Sequence, residues 1–177
     1  MRARTRSLWV SALVLSSVLA GSQDLPRARG ASVTLEPPET ISIERGRPGT
    51  VGLQFRVARG FHINSNRPRQ EYLKKTELRL DPPQELAIAK IDYPEGQDQS
   101  FPFAADEKLN VYTGDFSIAV VVRPLKTVSP AKYPVHGVLK YQACDNAACY
   151  PPKELAVAFE VNVTKAQSGM TKPGAGN

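Results

Sequence analysis

The chain has 177 residues, 41% of them hydrophobic and 23% charged, with two cysteines and a formal net charge of +6. That apolar share excludes an intrinsically disordered chain, and two cysteines exclude a disulfide-dense scaffold. Arg2, Arg4 and Arg6 fall in a leading stretch without acids, so only +3 belongs to the remaining residues, scattered among acids rather than gathered into a nucleic-acid-binding stripe.

Residues 1–22 read as a signal peptide. The three arginines form a basic start, Leu8 to Leu19 is an apolar run, and the small residues Ala20, Gly21 and Ser22 suit cleavage there. The run is shorter than the roughly 20 apolar residues of a membrane-spanning helix. Leu19-Ala20-Gly21 lacks the cysteine that a lipoprotein box requires next. The mature chain is therefore expected to be periplasmic or secreted, without membrane insertion. Residues 23–31 and 165–177 are polar and Gly-, Ser- and Lys-rich and read as a flexible leader and a disordered tail. One domain is expected over 32–164.

Within that domain strand follows strand. Ser32 to Leu35, Thr50 to Val57, Thr76 to Asp81, Leu86 to Tyr93, Phe116 to Val122, Val135 to Gln142 and Glu154 to Val163 are rich in β-branched and aromatic residues. Val51, Leu53, Phe55 and Val57 alternate with polar neighbours, and Leu155, Val157, Phe159, Val161 and Val163 repeat that rhythm. Pro-rich breaks such as Glu36-Pro37-Pro38 and Asp81-Pro82-Pro83 separate the runs. About seven short strands with regular turns and no helical period predict an all-β, immunoglobulin-like β-sandwich. Pro94 to Lys108 lacks strand character yet holds Phe101, Pro102 and Phe103. It reads as a long loop, either a functional lid or a surface insertion.

Cys144 and Cys149 are close enough in an exported chain to be expected to bond. They sit across the mouth of a hairpin, joined by the turn-prone Asp145-Asn146-Ala147-Ala148, with Pro151 and Pro152 interrupting the ladder beyond. A structural hairpin clamp is one reading. Closing so short a loop is worth only about 2 kcal/mol, and exposed disulfides at loop ends are the reducible ones. On these residues alone, clamp and redox centre both stand.

The block Tyr141-Gln142-Ala143-Cys144-Asp145-Asn146-Ala147-Ala148-Cys149-Tyr150-Pro151-Pro152 resembles the active-site hairpin of the N-terminal periplasmic domain of the thiol:disulfide interchange protein DsbD. Gly60-Phe61-His62-Ile63-Asn64 resembles that family's Gly-aromatic-His-Ile-Asn turn, and Val111-Tyr112 with Gly114 its aromatic strand entry. The resemblance spans about Val33 to Val163 and implies an immunoglobulin-like electron relay. It implies that Cys149 forms the mixed disulfide with partners and that Cys144 resolves it. It also implies a cap in which Phe101 or Phe103 shields the pair. Tyr141 and Tyr150 are candidates for the rim, and His62 and Asn64 for supporting the loop. The cysteine spacing is a residue shorter than in the best-studied form, and no transmembrane helices or thioredoxin-like domain follow. The expected partners are therefore thioredoxin-fold or DsbD-like redox proteins on other chains.

His62 and His136 with the cysteines could make a copper or zinc site, but no metal-ligand run accompanies them. The expectation is no metal, no cofactor and a monomer. The competing functional reading, from a different class, is a non-catalytic sandwich that binds a protein partner and carries a structural bridge.

Overall fold

The structure is a computed structural model and describes residues 31–166. The expected signal peptide lies outside the described residues, as do the leader and tail apart from Ala31, Lys165 and Ala166. The described residues form twelve strands: β1 (Val33–Leu35), β2 (Ile41–Glu44), β3 (Gly49–Val57), β4 (His62–Asn64), β5 (Glu77–Asp81), β6 (Leu86–Asp92), β7 (Gln97–Phe101), β8 (Ala104–Tyr112), β9 (Asp115–Pro124), β10 (Lys132–Tyr141), β11 (Ala143–Cys144) and β12 (Lys153–Thr164). Among the described residues no helix is long and apolar enough to cross a membrane.

Two four-stranded sheets, β1-β3-β9-β6 and β2-β12-β10-β5, face each other as an immunoglobulin-like sandwich. Their pairings are antiparallel except β2 on β12, which is parallel. The alternation read from the sequence produces this arrangement directly. Val51, Leu53, Phe55 and Val57 of β3 and Val157, Phe159, Val161 and Val163 of β12 all point inward and join one core with Ile118, Val120 and Val122 of β9. Each such side chain contributes about 1.5–3 kcal/mol by leaving water. The seven expected runs correspond to β1, β3, β5, β6, β9, β10 and β12.

A third four-stranded sheet, β11-β4-β8-β7, extends from one end of the sandwich. It corrects the expectation of a structureless loop from Pro94 to Lys108: in a hairpin, β7 pairs with the far part of β8 (Gln97 with Val111, Asp98 with Asn110, Gln99 with Leu109) and, past a register shift, Phe101 pairs Ala104 around Pro102 and Phe103. Gln97, Asp98, Gln99, Asp106, Glu107 and Lys108 give this hairpin no apolar alternation, so its strand character is invisible to a periodicity reading. The hairpin is closed by backbone pairing and by a small core of its own: Phe101, Leu109 and Val111, with Leu73 and Ala104 packed against it. β8 then runs through Tyr112 to Gly114, whose φ of +59° turns the chain into β9.

Candidate functional site around the cysteine pair

The site is built on the connection between β10 and β12. Leaving β10 at Tyr141, the chain crosses to the third sheet, where Ala143 pairs with Ile63 and Cys144 with His62. It then reverses. Asp145 N–H donates to Ala148 O at 2.9 Å, and Tyr150 N–H donates to Ala143 O at 2.9 Å. Asp145 makes the reversal local: its Oδ1 accepts from the amides of Ala147 (2.9 Å) and Ala148 (3.0 Å), the side-chain-to-backbone pattern that favours Asp in tight turns. Its Oδ2 accepts from the Tyr150 hydroxyl. Cys144 and Cys149 consequently face each other as a bridge pair, bonded at 2.01 Å with Cα atoms 3.9 Å apart. Cys144 is fully buried, whereas Cys149 is partly exposed.

Gln142 and Asn64 brace the turn from below. Asn64 Nδ2 donates to Lys74 O at 3.0 Å and to Gln142 Oε1 at 3.3 Å. Gln142 Oε1 also accepts from Lys74 N–H, and its Nε2 donates to Tyr150 O at 3.2 Å. Asn64, expected as a support, thus touches both Lys74 and Gln142. The part played by Gln142 is a finding of the structure, although the residue stands inside the Tyr-Gln-x-Cys block.

His62, the other residue expected to support the loop, sits in a strand rather than in a turn. It lies on β4, is 2% exposed, and its Nε2 has no hydrogen-bond partner. Its ring stacks on Phe101 with centroids 3.7 Å apart and planes at 16°, and Phe103 lies beyond in a near-parallel stack at 6.1 Å. The ring contacts of the two phenylalanines are therefore with His62, the residue paired with Cys144, and with each other at 5.7 Å. Phe101 is buried and Phe103 is 37% exposed. Burial lowers the His62 pKa to about 4, against an upward pull from the Asp145 carboxylate.

The two tyrosines part company. Tyr150 is half-buried beside the pair and lies 6.0 Å from the ring of Phe61. Tyr141, expected at the rim, is a core residue: it is 5% exposed and its hydroxyl lies 3.3 Å from Ser32 Oγ. As the last residue of β10 its side chain falls on the inward face. His136 sits exposed within β10, opposite Asp81 and Ala158. Among the described residues no group of three or more His, Cys, Asp and Glu side chains is placed to hold a metal ion.

A bonded pair with one sealed and one partly exposed cysteine, on a strand beside a stacked His62–Phe101–Phe103 group, is an arrangement suited to thiol–disulfide exchange. Solved structures with similar chain paths include the Neisseria meningitidis DsbD N-terminal domain in its reduced form. That likeness has 23% identity over 63% of this chain and 77% of that one, with a TM-score of 0.40. The complex between the DsbD and PilB N-terminal domains of the same organism matches at 20% identity, 77% and 87% coverage, and a TM-score of 0.43. A type I cohesin from Pseudobacteroides cellulosolvens matches at 9% identity, 75% and 92% coverage, and a TM-score of 0.46. Among curated proteins none matches. The family model for the N-terminal part of the thiol:disulfide interchange protein DsbD matches residues 32–160, running from the first strand of the sandwich into the last and taking in both cysteines, Phe101 and Phe103. With its fold, its bonded pair and this match in agreement, the chain belongs to the DsbD N-terminal domain family.

Proposed function

We propose that this chain is an exported, periplasmic thiol–disulfide exchange module that relays electrons between a thioredoxin-like donor and other thiol proteins through Cys144 and Cys149. The observation that carries the reading is the placement of a bonded pair on a short connection outside both main sheets, where neither sulfur ties the sandwich together. In the reducing direction, the Cys149 thiolate attacks a client disulfide and displaces one client sulfur as a thiolate. Cys144 then attacks Cys149 Sγ, releasing the second client sulfur. Two electrons pass to the client and the Cys144–Cys149 bond re-forms. A thioredoxin-fold donor restores the dithiol by the same exchange. The half-exposed Cys149 against the sealed Cys144 supports giving the partner-facing role to Cys149. Phe101 and Phe103 act as the shield and Tyr150 as the rim.

Two measurements test this. Mild dithiol should reduce the pair while far-UV circular dichroism stays unchanged; a bridge that yields only on unfolding would instead identify a structural clamp in a protein-binding module. The Cys144→Ala variant should accumulate a covalent complex through Cys149 with an exported thioredoxin-fold protein, visible on non-reducing gels and lost on reduction.

A further inference from the structure

The unpartnered nitrogen of His62 is the feature that the exchange reading leaves unused. Buried side-chain nitrogens and oxygens nearly always find a hydrogen-bond partner, and a neutral imidazole offers one donor and one acceptor nitrogen. Here Nε2 is buried with none. The nearest strand neighbour is Cys144, directly opposite His62 in the antiparallel β4–β11 pair. Side chains at such positions stand on the same face with Cβ atoms roughly 5 Å apart. In the oxidised state Cys144 has no proton to share, because its sulfur is bonded to Cys149. A donor appears beside the imidazole only when that bond opens and Cys144 becomes a thiol.

We propose that His62 is the proton acceptor for the Cys144 thiol, idle in the disulfide state and engaged whenever Cys144 must attack. This deepens the exchange reading above and rests on it. In the resolving step Nε2 takes the Cys144 S–H proton as that sulfur forms the Cys144–Cys149 bond. The bond between Cys149 and the partner sulfur breaks, its electron pair leaves on that sulfur, and the imidazolium returns the proton there. The partner is reduced, the pair is oxidised, and His62 ends neutral. In the opposite direction the same step runs backwards: His62 takes the proton of the attacking partner thiol and passes it to the Cys144 thiolate as that sulfur leaves.

The surroundings suit this task. Phe101 and Phe103 face the ring from the β7–β8 turn and bring no charge. The connection carrying Cys144 brings the Asp145 carboxylate, which accepts from Tyr150. The adjoining strand β8 brings Tyr112, whose hydroxyl is committed to Asn66 and Pro94. Burial keeps the imidazole uncharged down to a pH of about 4; the same burial weakens it as a base, so the proton moves to Nε2 only as the Cys144–Cys149 bond forms and not beforehand.

The test is stopped-flow reaction of the reduced full chain with 5,5′-dithiobis(2-nitrobenzoate). Attack by Cys149 releases one equivalent of coloured thiolate, and resolution by Cys144 releases the second. Wild-type protein that fails to release the second equivalent would overturn the exchange reading itself. If it releases both, the His62→Phe variant, which keeps an aromatic ring on Phe101, should slow the second phase by about 100-fold, the lower range for loss of a general base. Its pH profile should then follow the thiol alone. An unaltered second phase and profile would overturn the role of His62 while leaving exchange intact. Should the variant fail to fold, imidazole nitrogen NMR on wild type decides: reduction of the pair should shift the Nε2 resonance of His62, and an identical resonance in both states rules the hydrogen bond out.

Discussion

His62 couples the acid stability of the fold to its burial. In the unfolded chain its imidazole titrates near 6.5, and in the folded protein near 4. Between these values the unfolded chain binds the extra proton, so stability is whole above pH 6.5 and falls as pH drops toward 4. The full cost is roughly 3 kcal/mol. Urea unfolding at pH 7 and pH 4.5 should show that slope, and His62→Phe should flatten it. Gly137 is a second constrained position. A Cβ there would meet Arg79 O at 2.2 Å and Leu80 Cα at 3.0 Å, because β5 packs alongside β10 at that point. Gly137→Ala should destabilise the sandwich by about 1–3 kcal/mol, the usual cost of overpacking, measured by thermal or urea unfolding. At this scale the two cysteines were legible because spacing and turn chemistry announce them. Tyr141 was not, since adjacency to Cys144 says nothing about which face of β10 a side chain takes. The unpaired nitrogen of His62 was invisible, because it depends on a cross-strand neighbour far away along the chain.

The β7–β8 hairpin carries Phe101 and Phe103 and is attached differently from the rest of the protein. Phe101, Leu109 and Val111 form a cluster separate from the main core. The segment after β4 straps the hairpin down through mostly exposed groups: Arg69 pairs with Asp98, the Tyr72 hydroxyl donates to Glu107 at 2.8 Å, and Gln70 Nε2 donates to Lys108 O at 3.4 Å. Exposed pairs of this kind contribute little, about 0–1 kcal/mol each. Asp98 holds its carboxyl below the ordinary range through Asn110 and Arg69, so what it adds is present at neutral pH and lost on acidification. Amide hydrogen exchange should therefore be faster in β7 and the first part of β8 than in β3, β9, β10 and β12. Leu109→Ala should widen that difference without melting the sandwich. The sequence announces strands that alternate because one face is buried. Strands such as β7, mostly polar, and very short ones such as β4 and β11 leave no period to read, and they are the ones that carry Phe101, His62 and Cys144.

Over the whole molecule, the disulfide closes a sequence separation of five residues and crosses no part of the core. Its chain-entropy contribution is about 2 kcal/mol, small beside the apolar burial shared by the two sheets. The double variant Cys144→Ala, Cys149→Ala should fold to the same sandwich and lose about that amount in urea unfolding. The sandwich itself was legible because β3, β9, β10 and β12 write their buried faces into alternating residues.

The two ends of the sandwich are not equivalent. β12 leaves the cysteine end at Lys153, opposite Tyr141, and after twelve residues finishes at Thr164, roughly 35 Å away at the ordinary rise of a strand. Ser32, next to the start of the described residues, is tied instead to Ala58 and to Tyr141, three residues before Cys144. Immobilising the protein on an electrode or resin through the far end of β12 would hold the sulfurs outward toward solution. Fixing it through the entry side would turn them toward the support.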